Sequence, residues 1–174
     1  MADGPKVLVR AARPADVEEI ARLQLDTWRI GYEQFLPANV LERLTPDLAR
    51  QSWGAAVSAP PSPRHHVLVA QEQDWIVGFA AVGPAEDAEA GEIATLLVEP
   101  RWGRRGHGSR LLAAATDHLR GDGFTTVAVW LYDRDEVSRR FYLSAGWAAD
   151  GLARTLDADG TELREIRLHT ALTD

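Results

Sequence analysis

The chain has 174 residues, a formal net charge of −7 at pH 7 and no cysteine. The length fits a single domain, residues 1–174, and the absence of cysteine excludes disulfides, a thiolate nucleophile and thiolate metal ligands. The acidic balance argues against general nucleic-acid binding, because a phosphate polymer needs an extended basic face. Because the sequence also lacks the pattern of a membrane span or a signal peptide, we expect a cytoplasmic protein with no nucleic-acid or membrane partner.

Hydrophobic patterning predicts strands and helices that alternate along the whole chain. Val7 to Ala11 alternates like a strand, and Pro14 with Asp16 marks the start of a first helix. The other predicted elements are, in chain order, a helix at 46–56, strands at 66–71, 75–82 and 92–98, a helix at 105–120, a strand at 125–131, a helix at 136–144, and strands at 152–155 and 163–170. This order predicts an α/β fold with a mixed sheet.

The segment 98–112 (VEPRWGRRGHGSRLL) joins a predicted strand to a predicted helix and holds three glycines and four arginines. Glycines let backbone N–H groups approach a ligand closely, and a helix N-terminus carries unpaired donors and partial positive charge. Arginines add charge that suits phosphate. On an acidic chain, such a local basic segment predicts a site for a small anionic ligand.

Two nucleotide-binding motifs fit this segment poorly. Gly103 and Gly108 have the spacing of a P-loop, but Ser109 stands where the P-loop lysine belongs. A dinucleotide-binding fingerprint would need a glycine at Leu111, and it would lie after the first strand. Neither nucleotide triphosphate hydrolysis nor dinucleotide binding is therefore favoured.

A third pattern fits better. The segment 98–112 resembles the acyl-coenzyme A signature of the GNAT superfamily of N-acyltransferases, and the segment 138–147 (SRRFYLSAGW) resembles the second motif of that family. The region around Thr27 to Arg29 is similar to the first helix of many members. The resemblance implies a mixed, mostly antiparallel seven-stranded sheet flanked by about four helices, with acetyl-CoA as co-substrate.

The resemblance also implies a set of cofactor contacts. Backbone N–H groups of the loop and the helix dipole would hold the diphosphate, and the strand edge would pair with the pantetheine amides. The residues implied are Leu96, Leu97, Val98, Gly103, Arg104, Arg105, Gly106, His107, Gly108, Ser109 and Asp135. Two of them depart from the family pattern. Gly103 replaces the usual Gln or Arg, so that Arg101 or Arg104 would supply the charge, and Asp135 replaces a frequent Asn.

Acyl transfer to an amine needs a base and an acid. Glu92, at the start of the strand that leads into the loop, is the candidate base; a water chain, with Glu92 a solvent-facing carboxylate, is the alternative. Tyr142 lies where the family carries its general acid, while a buried tyrosine can also serve only to hydrogen-bond within the core. His107 is predicted to be a loop side chain. No metal site is expected, because the neighbouring His65 and His66 would point to opposite faces of a strand.

The acceptor side is less determined by the sequence. By family resemblance, Trp28, Tyr32 and Trp130 are the candidate acceptor contacts, although Trp28 also has the spacing of a core residue. The predicted function is acetyl transfer from acetyl-CoA to a primary amine of a small molecule or peptide. The alternative is a non-catalytic acyl-CoA-binding sensor. Homodimers are common in the family, and no sequence feature here requires one.

Overall fold

The computed structural model describes residues 4, 6–34 and 36–173. It contains seven strands, β1 to β7: Val7–Ala11, His66–Glu72, Trp75–Pro84, Gly91–Val98, Thr126–Tyr132, Ala148–Ala158 and Thr161–Ala171. Five α-helices, α1 to α5, are Val17–Gly31, Ala38–Arg43, Pro46–Ser58, His107–Gly121 and Glu136–Ser144. Short 3₁₀ turns at Pro14–Asp16 and Pro100–Trp102 lead into α1 and into the glycine-rich loop.

The predicted seven strands and four of the helices are confirmed, with two differences. Helix α2 is an addition that the sequence did not indicate, because it is only six residues long and Pro37 at its N-cap provides no side-chain cap. Strand β6 begins at Ala148 rather than near Leu152. Its early part pairs with β7 despite a register shift between Ala149 and Ala153, where Gly151 adopts a positive φ of 84°.

The seven strands form one sheet in the order β1-β2-β3-β4-β5-β7-β6. Every neighbouring pair is antiparallel except β4 and β5, which run parallel. This confirms the predicted mixed, mostly antiparallel sheet. Helix α4 supplies the crossover between the parallel pair, as such a connection requires.

Helices cover both faces of the sheet. Leu111, Leu112, Ala115 and Leu119 of α4 and Tyr142 of α5 are buried against one face. On the other face, α1 and α3 bury a second cluster that includes Ile20, Leu23 and Trp53 against Val69 and Phe79 of the sheet. Strands β2 and β3 lie between these two clusters and have runs of consecutive buried residues, whereas β4 is only partly buried. None of the helices in the described ranges has both the length and the apolar composition that a membrane span needs.

Candidate active site

Strands β4 and β5 separate soon after they meet. Their pairing runs only from Gly91 to Ile93 on β4 and from Val127 to Val129 on β5. Ala94 follows as an extra residue in β4, because Ile93 pairs with Val82 of β3 while Thr95 pairs with Ala81. Such a bulge increases the local twist and ends regular pairing. The two strands diverge beyond it, and a cavity of about 150 Å³ lies between residues 93–97 and 129–132.

The diverging part of β4 has one unpaired edge. The Glu99 N–H donates to the Val77 carbonyl oxygen at 2.9 Å, and Leu97 lies opposite Phe79. Because backbone groups alternate in direction along an antiparallel strand, Leu97 shares the direction of Glu99, toward β3. The N–H and C=O groups of Leu96 and Val98 therefore point into the gap. The three predicted contacts therefore differ in their backbone pairing. The backbone of Leu97 pairs with β3, whereas Leu96 and Val98 present free backbone groups.

The loop after β4 presents a continuous row of backbone donors. Among the described residues, no hydrogen bond engages the N–H groups of residues 104–109. Arg104 and Gly106 have positive φ values of 60° and 81°, which turn these donors to the outside of the chain at the start of α4. The Arg110 N–H donates to the Gly106 carbonyl oxygen at 3.0 Å and begins the helical ladder. The loop and helix dipole together form a site suited to phosphate.

Gly108 allows α4 and α5 to approach each other. A Cβ at this position would lie 3.3 Å from Cε2 of Phe141, tighter than ordinary van der Waals contact. The close contact brings the first turn of α4 beside the helix that carries Tyr142. One glycine thus allows the glycine-rich loop to lie close to α5.

The arginines of the loop differ in what they contact. Arg105 bonds Glu72 at 2.9 Å and lies over the Trp102 ring at 4.9 Å from its centroid. Arg101 is paired with Glu99 at 2.7 Å. Arg104 is exposed, and no ion pair to it occurs within the described ranges. Of the two candidates for the charge missing at Gly103, the geometry therefore favours Arg104.

Tyr142 lines the cavity from α5. Its side chain is 4% exposed and packs edge-on against Phe141 and Trp147, with ring centroids 5.1 and 4.9 Å away. Burial raises the pKa of the phenol above its ordinary value, and the neighbouring Tyr32 and Asp135 add to the effect. The hydroxyl is therefore fully protonated near neutral pH, as a proton donor must be.

Comparison with known proteins agrees with this arrangement. A model of the acetyltransferase (GNAT) family matches residues 18–147. The uncharacterized N-acetyltransferase YuaI of Bacillus subtilis (strain 168) is 31% identical over 168 residues, which cover 93% of this chain and 91% of that protein. The chain belongs to the GNAT acetyltransferase family. The family predicted from segments 98–112 and 138–147 is thereby confirmed.

Solved GNAT structures share the fold of this chain. The PaiA N-acetyltransferase of Thermoplasma acidophilum, solved in complex with coenzyme A, matches with a TM-score of 0.77 at 15% identity, covering 95% of this chain and 99% of that one. YncA of Salmonella typhimurium, solved with acetyl-CoA, matches with a TM-score of 0.68 at 20% identity, covering 97% of this chain and 95% of that one. The predicted fold class is thus confirmed.

Within this GNAT fold, His107 differs from the prediction of a loop side chain. It is the first residue of α4, is 1% exposed, and its Nε2 lies 2.7 Å from Oε2 of Glu72. Glu72 also accepts a hydrogen bond from Arg105, so that one buried carboxylate at the end of β2 holds both a side chain of the loop and the first side chain of α4. Only the backbone of His107 is directed to the anion-binding row.

Asp135 also has a structural task. Its carboxylate caps α5, accepting from the Ser138 N–H at 3.0 Å and from the Ser138 hydroxyl at 2.7 Å. The Tyr32 hydroxyl lies 3.5 Å from the same carboxylate. The side chain borders the cavity, but its oxygens are largely committed to the cap. A cofactor contact from Asp135 stays a prediction.

The three predicted acceptor residues reach one cavity, two from the end of α1 and one from β5. Trp28, Tyr32 and Trp130 all line it, and the ring centroids of Trp28 and Tyr32 are 5.8 Å apart. Tyr132 continues the row, 5.4 Å from Tyr32. Trp28 is half-buried rather than part of the closed core. Trp28, Tyr32, Trp130 and Tyr132 therefore form an aromatic wall in the cavity that also contains Tyr142.

Glu92 does not line the cavity that contains Tyr142. It lies on a second cavity of about 300 Å³ between α3 and strands β2 to β4, and Ala94 borders both cavities. Burial raises the pKa of the Glu92 carboxyl, while Arg154 opposes the rise and Glu165 supports it. Glu92 is thus near the charges of Arg154 and Glu165, although it lines the second cavity and not the one that contains Tyr142.

Sequence reasoning missed Glu165, which does line the cavity with Tyr142. The residue is 7% exposed on β7, and its Oε1 accepts from Nε of Arg154 at 2.7 Å. The sequence did contain an indication of this burial, because strand alternation places Glu165 on the same face as the buried Leu163. A carboxylate at an inward position of a strand usually has a partner or a function.

Gly106 offers a stability test of the loop geometry. We expect Gly106→Ala to lower the free energy of unfolding by about 1 kcal/mol, because an alanine at a φ of 81° is strained. Gly121→Ala, at the end of the same helix and with nothing within 4 Å of the added Cβ, should leave the stability unchanged or higher. Urea unfolding of both variants measures the difference, and equal stabilities would contradict the left-handed loop conformation.

Proposed function

We propose that this chain transfers an acetyl group from acetyl-CoA to a primary amine of a small molecule or peptide, by direct attack of the amine on the thioester. The observation that carries the proposal is the alignment of three features along one path. The free donors of residues 104–109 lie at one end, the open β4 edge at Leu96 and Val98 in the middle, and Tyr142 in the cavity. This path matches the order of diphosphate, pantetheine and thioester in acetyl-CoA.

Each part of the path has a separate task. The loop N–H groups and Arg104 bind the diphosphate, and the free backbone groups of Leu96 and Val98 pair with the amides of the pantetheine arm. An N–H of this edge near the thioester oxygen would stabilise the negative charge that develops there. Bound acetyl-CoA supplies the activated acetyl group. Tyr142 holds a proton for the departing sulfur.

Direct transfer suits the composition of the chain. An acyl-enzyme route needs a nucleophilic side chain that accepts the acetyl group, and the sequence has no cysteine. The cavity is lined both by Leu96, on the β4 edge assigned to the cofactor, and by the aromatic residues Trp28, Tyr32 and Trp130. A thioester at the β4 edge and an amine beside the aromatic residues would therefore meet within one cavity.

The test measures binding and turnover separately. Calorimetric titration with acetyl-CoA, ATP and NAD should show binding of acetyl-CoA alone. A panel of primary amines should then release free thiol from acetyl-CoA, followed with a thiol reagent. Acetyl-CoA binding without thiol release from any amine would contradict the enzyme and support the sensor alternative. Failure to bind acetyl-CoA would contradict both.

We propose further that Glu92 is the base that receives the amine proton, acting through water because its side chain faces the neighbouring cavity. Its raised pKa supports this role, since a stronger base removes a proton more readily. For kcat/KM we expect an acid limb that rises with pH as Glu92 loses its proton, at a pH above the ordinary pKa of a glutamate. In Glu92→Gln this limb should disappear and the rate should fall about a hundredfold.

Glu89→Gln is the matched control, because Glu89 is exposed in the loop just before β4. Its profile of kcat/KM against pH should equal that of the unmodified protein. An unchanged profile in Glu92→Gln would remove Glu92 as the base and leave a water chain without it.

A further inference from the structure

The acceptor side of the cavity has an uneven charge. Two carboxylates, Asp135 and Glu165, line it, and none of its described lining residues is basic. Two arginines are near and both lie over the Trp130 ring, Arg154 at 4.3 Å and Arg167 at 5.9 Å from the centroid; Arg167 is also bonded to Asp150. The open space is thus bordered by negative charge and aromatic rings. Such a lining favours a cation.

The two carboxylates are not equivalent. Asp135 is committed to the cap of α5, where it accepts from both the backbone and the hydroxyl of Ser138. Glu165 accepts from Arg154 through Oε1, and within the described ranges no hydrogen bond reaches its Oε2. A carboxylate oxygen can accept more than one hydrogen bond, so Glu165 retains capacity for a further donor. Glu165 is therefore the carboxylate that can bind a ligand.

The charge of Glu165 acts across the cavity. Burial is the main cause that raises the pKa of Tyr132 and of Glu92, and the negative charge of Glu165 adds to both shifts. Arg154 opposes both shifts, and its effect on the pKa is smaller than that of Glu165 at Tyr132 but larger at Glu92. A cation placed between the aromatic row and Glu165 would be stabilised by the same field that disfavours further negative charge.

We propose that Glu165 binds the ammonium group of the acceptor, and that the acceptor is a primary amine on an apolar or aromatic body without a carboxylate beside the amine. The inference rests on the proposed acetyl transfer and names its substrate class. Trp28 and Tyr32 contact the body of the amine and its cationic group, whereas Trp130, with Arg154 and Arg167 over its ring, contacts only the apolar body. The α-carboxylate of a free amino acid would lie against Asp135 and Glu165 with no lining cation to receive it.

Matched pairs of acceptors test the substrate class on the unmodified protein. Phenethylamine with phenylalanine, tyramine with tyrosine, and isoamylamine with leucine each differ only by the carboxylate or its absence. We expect kcat/KM to be at least about tenfold higher for the amine of each pair, since juxtaposed like charges are strongly unfavourable. Equal or faster acetylation of the amino acids would overturn the inference. So would turnover of none of the six compounds.

The variant Glu165→Gln tests the residue. The KM for phenethylamine should rise about tenfold to a hundredfold, which is the cost of losing one charge-assisted hydrogen bond, while kcat changes much less. Glu162→Gln, an exposed position on the same strand, should keep the KM of the unmodified protein. Glu165→Asp keeps the charge but moves it away from the ligand, so its KM should be intermediate. This variant replaces Glu165→Gln in the test if Glu165→Gln is unstable. An unchanged KM in the folded variants would overturn the assignment.

The two proposals fail differently. Loss of acetyl-CoA binding, or the absence of thiol release with every amine tested, including peptides, would reject acetyl transfer itself. A different outcome would reject only the role of Glu165. In that outcome the protein binds acetyl-CoA and acetylates a peptide or amino acid, but Glu165→Gln leaves the KM unchanged. The dissociation constant of acetyl-CoA should stay within about twofold in Glu165→Gln, because Glu165 lies on β7 and is part of neither the loop of residues 104–109 nor the β4 edge.

Discussion

In the Tyr142→Phe variant, kcat should fall about a hundredfold or more while the dissociation constant of acetyl-CoA changes by less than about twofold. The substitution removes only the hydroxyl, which lines the cavity at the point where β4 and β5 diverge. The ring contacts with Phe141 and Trp147 remain, so the packing of α5 is preserved. Steady-state thiol release and calorimetric titration of acetyl-CoA measure the two quantities.

The loss should depend on the leaving group. A less basic thiolate departs more easily without a proton donor. An acyl donor whose thiol has a lower pKa than that of coenzyme A should therefore lose less activity in Tyr142→Phe than acetyl-CoA does. An equal kcat in Tyr142→Phe and the unmodified protein would contradict the role of general acid. A kcat that falls together with the thermal stability would instead indicate that the hydroxyl serves the core.

Ser109→Glu should weaken acetyl-CoA binding about a hundredfold, because it places a carboxylate at the end of the row of donors formed by residues 104–109. Ser109 is exposed in the first turn of α4. A negative charge near a helix N-terminus is favourable in the free protein, so the substitution should leave the free energy of unfolding unchanged or higher. Lower affinity with retained stability is the expected signature, measured by calorimetry and urea unfolding.

Thr116→Glu provides the matched control for this charge. It adds the same carboxylate to the same helix about two turns further on, beyond the reach of the loop donors. Its affinity for acetyl-CoA should lie within about threefold of that of the unmodified protein. Similar losses in both variants would show that only the net charge of α4 matters and would contradict a localised diphosphate site.

The cofactor side of this site could be predicted from sequence because its determinants are local. A glycine-rich loop between a strand and a helix fixes its own backbone geometry, so Gly106 and Gly108 were informative without any knowledge of the fold. Tyr142 was predicted by the same means, through the motif around it. The side chain of His107 was not predicted correctly, because its burial depends on Glu72, a residue from a distant strand.

The acceptor side depends on features that pattern alone does not contain. The bulge at Ala94 and the divergence of β4 from β5 decide which cavity each residue lines. Glu92 was predicted as the base from its place at the start of β4, and these features direct its side chain to the neighbouring cavity, so that its role stays a prediction. Glu165 reaches the site because β7 pairs with β5, although α5 and β6 lie between these two strands in the chain. Such long-range pairing is set by tertiary packing rather than by local sequence.

The measurement that tests the account most directly is the stoichiometry of products from the unmodified protein, acetyl-CoA and phenethylamine. Free coenzyme A and N-acetylphenethylamine, quantified by mass spectrometry over time, should form in equal amounts, with no acetyl group retained on the protein. Bound acetyl-CoA that yields neither product, or coenzyme A released without the acetylated amine, would contradict direct acetyl transfer at this cavity.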